Sequence, residues 1–97
     1  MSEFTEESPL KEIIEELMDE YRLSAKLREM RIQKIWTRIV GQYVASQTEE
    51  ITFKNRRLAV TIKSSALRNE LSFAKTKIIK NINRLLGEEA VEDIRFF

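Results

Sequence analysis

Two stretches with a period of two precede a longer stretch with a helical period, and together they set the expected fold. Ile51-Thr52-Phe53-Lys54 and Leu58-Ala59-Val60-Thr61-Ile62-Lys63 alternate apolar with polar residues, the pattern of half-buried strands. Asn55-Arg56-Arg57 between them reads as a tight turn. From Ser65 the apolar positions Leu67, Leu71, Ala74, Ile78, Ile82 and Leu85 recur every three or four residues. That spacing predicts one long amphipathic helix, stopped by Gly87. A hairpin with one apolar face followed by such a helix should pack as a two-layer unit.

Upstream, residues 1–8 are polar and expected to be disordered, leaving 9–97 as a single domain. Ser8-Pro9 suits a helix start, with Ser8 as cap and Pro9 in the first turn. Leu10, Ile13, Ile14, Leu17, Met18 and Tyr21 form the apolar stripe of a first helix ending near Arg22. Core packing is its expected role; a protein-docking surface on its acidic face is the alternative. A second helix is expected from near Ser24 to about Gln47, carrying Leu27, Met30, Ile35, Ile39 and Tyr43, with Trp36 and Val40 widening the stripe. Trp36 is expected to anchor the core, with base stacking as the sharper alternative. Gly41 suggests a kink or a close approach of another element. Val91 to Phe97 resembles a short last strand with Ile94 and Phe96 facing inward. The order α-α-β-β-α-β predicts an α+β fold, a three-stranded sheet with helices packed on one face.

Composition narrows the chemistry. The 97 residues contain no cysteine and no histidine, so disulfides, thiolate metal sites and His-assisted nucleophilic catalysis are not expected. The two glycines, Gly41 and Gly87, allow neither a P-loop nor a dinucleotide fingerprint. Glu15-Glu16 and Glu88-Glu89 sit at helix-terminal or loop positions and suggest no acid–base pair. No cofactor, no metal, no membrane and no catalytic residue are expected. The absence of a secretory signal and of cysteine suits a cytoplasmic protein. A binding role remains.

The net charge of +1 conceals segregation. Residues 1–20 hold one base against eight acids, residues 21–47 six against one, residues 48–87 nine against three, and the last ten one against four. The centre therefore carries +11 between acidic ends. An anionic partner for the centre is one reading; solvated faces that compensate one another are the other. On a helical projection Lys77, Lys80 and Arg84 lie on one flank with Phe73, roughly 100° to 160° from the apolar stripe. Lys54, Arg56 and Arg57 cluster at the hairpin tip. These six are the candidate nucleic-acid-binding residues, for DNA or RNA. Phe73 is expected to be covered by the N-terminal helix rather than to stack on a base.

One run is specific enough to suggest a family. Trp36-Thr37-Arg38-Ile39-Val40-Gly41-Gln42-Tyr43-Val44-Ala45-Ser46-Gln47-Thr48 resembles the tryptophan, Val-Gly and Ala-x-x-Thr signature of the DciA-like domain. Leu58-Ala59-Val60-Thr61-Ile62, the Ser64-Ser65 step into a helix, Ile82-Asn83-Arg84-Leu85-Leu86-Gly87 and Ile94-Arg95-Phe96 follow in the family's order. The resemblance covers about residues 24 to 97. It implies a KH-like fold and a bacterial protein that binds DNA and assists the DnaB-type replicative helicase. Leu67 stands where many members have tryptophan, and the Gly-x-x-Gly loop of KH domains is missing, so the binding mode must differ. Members often add a basic flexible extension, so weaker binding is expected of the domain alone. A protein-interaction adaptor without nucleic-acid binding is the alternative function.

Overall fold

The computed structural model describes residues 9–97; the expected disorder of residues 1–8 and the capping role of Ser8 lie outside them. The elements are α1 (Pro9–Ser46), β1 (Thr48–Lys54), β2 (Arg57–Ile62), α2 (Ser65–Phe73), α3 (Lys75–Leu86) and β3 (Asp93–Phe96). The sheet order is β1-β2-β3. β1 and β2 pair antiparallel, with Ile51 opposite Val60 and Lys54 opposite Arg57. β3 returns after the helices to pair parallel with β2, Leu58 opposite Ile94. The α+β class and the three-stranded sheet are as expected.

Alternation along the strands decides which face is covered. Ile51, Phe53, Leu58, Val60, Ile62 and Ile94 are buried, whereas Thr52, Lys54, Arg57 and Arg95 are exposed. The helices fill the buried side: Ile32 and Trp36 from α1, Leu67 and Leu71 from α2, and Ile78, Ile82 and Leu86 from α3 join one cluster with the strands. Each fully buried aliphatic side chain contributes about 1.5–3 kcal/mol relative to exposure. Trp36 is an anchor as expected, only 3 % exposed. Its indole N–H donates to Thr48 Oγ1 at 3.0 Å, and that hydroxyl donates to Val44 O at 2.8 Å. The tryptophan thus fastens the end of α1 to the start of β1.

The helix boundaries differ from those read in the sequence. The break expected between Arg22 and Ser24 does not occur, and α1 runs on for 38 residues. No glycine or proline interrupts it there, and Ser24 does not cap a helix; its Oγ accepts from Arg28 Nη1 at 2.7 Å. The kink falls at Gly41, whose φ of 88° and ψ of 167° belong to a region essentially closed to other residues. Nothing lies within 4 Å of where its Cβ would be, so the backbone angle and not a close approach requires glycine. Conversely, the helix expected from Ser65 to Leu86 is divided at Ala74 (φ −100°, ψ 7°), whose N–H bonds Leu71 O. The apolar period continues across this break, and alanine is no helix breaker.

An uninterrupted α1 carries its first half past the sheet. The radius of gyration, 17.3 Å, exceeds the roughly 13 Å of a compact chain of this length. The expectation that the first apolar stripe packs into the core is therefore overturned: Leu10, Ile13, Ile14, Leu17, Met18 and Tyr21 are all largely exposed. The buried residues of α1 are Ile32 and Trp36.

Candidate nucleic-acid interface

α3 owes its orientation to its two faces. Ile78, Ile82, Asn83 and Leu86 turn toward the sheet and the other helices, which leaves Lys77, Lys80 and Arg84 exposed on the opposite side. Their spacing of three and four residues aligns them in one row. None of the three is ion-paired among the described residues. Glu88 and Glu89 share a shallow depression with Lys80 and Arg84, but the Glu88 carboxylate is engaged elsewhere. Arg28 Nη2 meets it at 2.8 Å, with Arg31 Nη1 at 4.0 Å. The hydrogen bond from Arg28 is the main reason that Glu88 ionises below the ordinary glutamate range, against a smaller opposing effect of desolvation. The row on α3 thus keeps its charge.

The start of α3 adds to this potential. No side chain caps it, and its first turn holds Lys75 and Lys77 with no acid. Helix N-termini attract anions through their unpaired N–H groups and the helix dipole. Beside it Phe73, at the end of α2, is 85 % exposed. The expectation that the N-terminal helix covers Phe73 is overturned, since that helix extends away from the body and leaves the ring in solvent. The helical projection sets Phe73 on the polar flank; its exposure follows from the direction of α1, which the sequence does not reveal.

The far end of α3 is fixed by Asn83 and Gly87. Gly87 takes the left-handed conformation (φ 75°) and its N–H bonds Asn83 O at 2.9 Å, a glycine helix stop. The buried Asn83 amide donates to Val91 O at 3.0 Å and accepts from Val91 N–H at 2.9 Å. The Asn-x-x-Leu-Gly part of the family motif is therefore structural: it clamps the connection from α3 to β3.

At the hairpin tip the three candidate cations have separate fates. Asn55 and Arg56 both have positive φ, 52° and 62°, as a two-residue turn matched to the strand twist requires. Arg56 holds this strained position by bonds to the α3–β3 connection. Its Nη1 meets Glu92 Oε1 at 2.8 Å, and its other guanidinium nitrogens donate to the carbonyls of Glu89 and Ala90. Lys54 and Arg57 flank the turn as a cross-strand pair, exposed and without an ion pair among the described residues. By strand alternation they lie opposite the inward-facing Phe53 and Leu58, and Lys54 also borders the depression between α1 and the hairpin. The structure thus gathers Lys77, Lys80 and Arg84 into one row and sets Lys54 and Arg57 apart on another surface. Arg56 is committed to the fold's own carboxylate and carbonyls.

Among the described residues no cluster of carboxylates could hold a metal ion, and no helix is long and apolar enough to cross a membrane. The family model described as "Dna[CI] antecedent, DciA" matches residues 9–96. The match extends the resemblance seen from residue 24 back to the beginning of α1. No curated protein and no solved structure matches the chain.

Proposed function

Since the chain belongs to the DciA family, we propose that it is a non-enzymatic nucleic-acid-binding module that assists the replicative DNA helicase in the bacterial cytoplasm. The family carries the helicase-loading role in replication. The observation that supports nucleic acid as ligand is the row Lys77, Lys80 and Arg84: three exposed cations on one helix face, with no carboxylate partner among the described residues. Such a row meets phosphates at no cost in broken internal pairs, and its contacts carry position rather than sequence. Lys75 and Lys77 lie at the uncapped start of α3, and Phe73 offers an exposed ring beside them on which an unpaired base could stack. Single-stranded DNA is the ligand this combination suits best. Lys54 and Arg57 supply a second, weaker patch on the sheet. Arg56 acts by positioning the hairpin rather than by touching the ligand.

An NMR titration with single- and double-stranded oligonucleotides tests the reading. Shifts centred on residues 73–84, larger for the single strand, support it; shifts absent or spread over the acidic half of α1 contradict it. One observation favours the adaptor reading: the exposed apolar side of the first half of α1. Under that reading nucleic acid binds no better than to any weakly basic protein.

A further inference from the structure

The contacts between α1 and α3 run in opposite senses. Arg28 pairs with Glu88 at 2.8 Å, and Arg31 Nη2 donates to Leu86 O at 3.2 Å. A rising number on α1 meets a falling number at the end of α3, so the two helices pack antiparallel. Ile35 and Ile39 of α1 and Ile79 of α3 continue this packing against the core. Arg38 stands seven residues beyond Arg31, two turns or about 10.5 Å further, and within about 20° of the same side of the helix. Two turns back from Leu86 is Ile79, with Lys80 next to it. Arg38 therefore lies on the α3 side of α1, at the level of Lys80. Lys34, one turn before Arg38, borders a depression with Arg31 and Glu88, and Glu88 also borders the depression that holds Lys80 and Arg84. Lys34 and Arg38 are exposed and, like the row on α3, have no ion pair among the described residues.

We infer that Lys34 and Arg38 belong to the same surface as Lys77, Lys80 and Arg84, so that one nucleic-acid strand is held by its phosphates across the seam between two helices. The inference rests on the reading of α3 as a nucleic-acid interface and adds α1 to it. Packed helices have axes about 8–10 Å apart, close to one Debye length at physiological salt, so the potentials of the two sets add. Arg28 and Arg31 stand outside the strip because Glu88 engages them. Glu88 and Glu89 close one end of it, where their carboxylates repel a phosphate. The other end lies open at the uncapped start of α3, beside Lys75 and the exposed ring of Phe73. Five cations spread over two turns of α3 and one of α1 suit a chain of phosphodiesters rather than a lone phosphate.

Fluorescence anisotropy with a labelled oligothymidine, across a range of salt, tests the inference on wild type, on Lys34→Gln with Arg38→Gln, and on Lys77→Gln with Lys80→Gln and Arg84→Gln. Circular dichroism checks that both variants keep the fold. The α1 variant should bind more weakly at low salt, with a log–log slope shallower by about 1 to 2, since two phosphate contacts no longer release counterions. In an NMR titration of wild type with the same oligonucleotide, the amides of residues 34–38 should shift together with those of 77–84. A wild type without salt-dependent binding overturns the functional reading and this inference with it. Binding that weakens in the α3 variant but keeps its full slope in the α1 variant overturns the inference alone. So do wild-type shifts confined to α3, a result independent of how the variants fold.

Discussion

The carboxylate of Glu29 accepts the backbone N–H of Phe53 at 2.9 Å, so a side chain of α1 occupies a hydrogen-bonding position on the outer edge of β1. One turn further, Gln33 Nε2 donates to Ile51 O at 3.2 Å. β1 is an edge strand, and unpaired edge groups invite association with other chains. Two residues four apart on one helix close this edge. The same contacts fix where α1 crosses the sheet, and hence how much of it extends beyond.

The Glu29 contact gives a pH signature. Burial alone raises the carboxyl's pKa, but the bonds from Lys26 and from Phe53 N–H outweigh it, and Glu29 ionises below its ordinary value. A folded value below the unfolded one contributes stability above the ordinary glutamate range, lost as pH falls through the folded value. Glu29→Gln should cost about 1 kcal/mol at pH 7, and the difference from wild type should shrink toward zero as the pH falls below the ordinary glutamate range and through the lowered folded-state titration. Urea denaturation of both proteins across that range measures it; a difference independent of pH would contradict the assignment.

Asn83→Ala removes both bonds to Val91 and leaves the buried Val91 amide unsatisfied. A loss of about 2–3 kcal/mol is expected. DNA affinity of the fraction that remains folded should be unchanged, because the Asn83 amide is buried and bonded to Val91, whereas Lys77, Lys80 and Arg84 are exposed. Denaturation and binding measured on the same variant separate the two effects.

Gly41→Ala should cost about 1–3 kcal/mol through backbone strain alone. Space is no obstacle, since nothing lies within 4 Å of the added methyl. A thermal denaturation midpoint equal to wild type would mean that the kink relaxes into continuous helix.

Arg56 and Arg57 are neighbours with opposite expected phenotypes. Arg56→Ala loses the Glu92 pair and the bonds to the Glu89 and Ala90 carbonyls, and should lower stability by about 1–2 kcal/mol while leaving the affinity of folded protein for DNA unaltered. Arg57→Ala should leave stability within about 0.5 kcal/mol and weaken DNA binding slightly. Denaturation and fluorescence anisotropy on the two variants check both halves.

What the sequence disclosed followed from periods and from special residues. The alternation at Ile51–Lys54 and Leu58–Lys63 located both strands, Gly87 located the end of α3, and Trp36 was legible as an anchor. Two features were hidden. An apolar stripe at Leu10, Ile13, Ile14 and Leu17 looks the same whether it faces its own core or projects beyond it, because periodicity reports amphipathicity and not what covers the face. The same hidden direction of α1 concealed the exposure of Phe73, which helical projection sets on the polar flank, and the break at Ala74 left no mark in residue type or spacing. The row Lys77, Lys80, Arg84 was readable from helical projection. The engagement of Arg56 was not, since Glu89, Ala90 and Glu92 are more than thirty positions away.

The most direct test of the whole account is the salt dependence of single-stranded DNA affinity, measured by fluorescence anisotropy for wild type and for a variant with Lys77→Glu, Lys80→Glu and Arg84→Glu. The account predicts a wild-type affinity that falls steeply with salt, and a folded variant whose log–log slope is shallower by about 2 to 3, because three phosphate contacts no longer release counterions. A variant with the affinity and slope of wild type would contradict it.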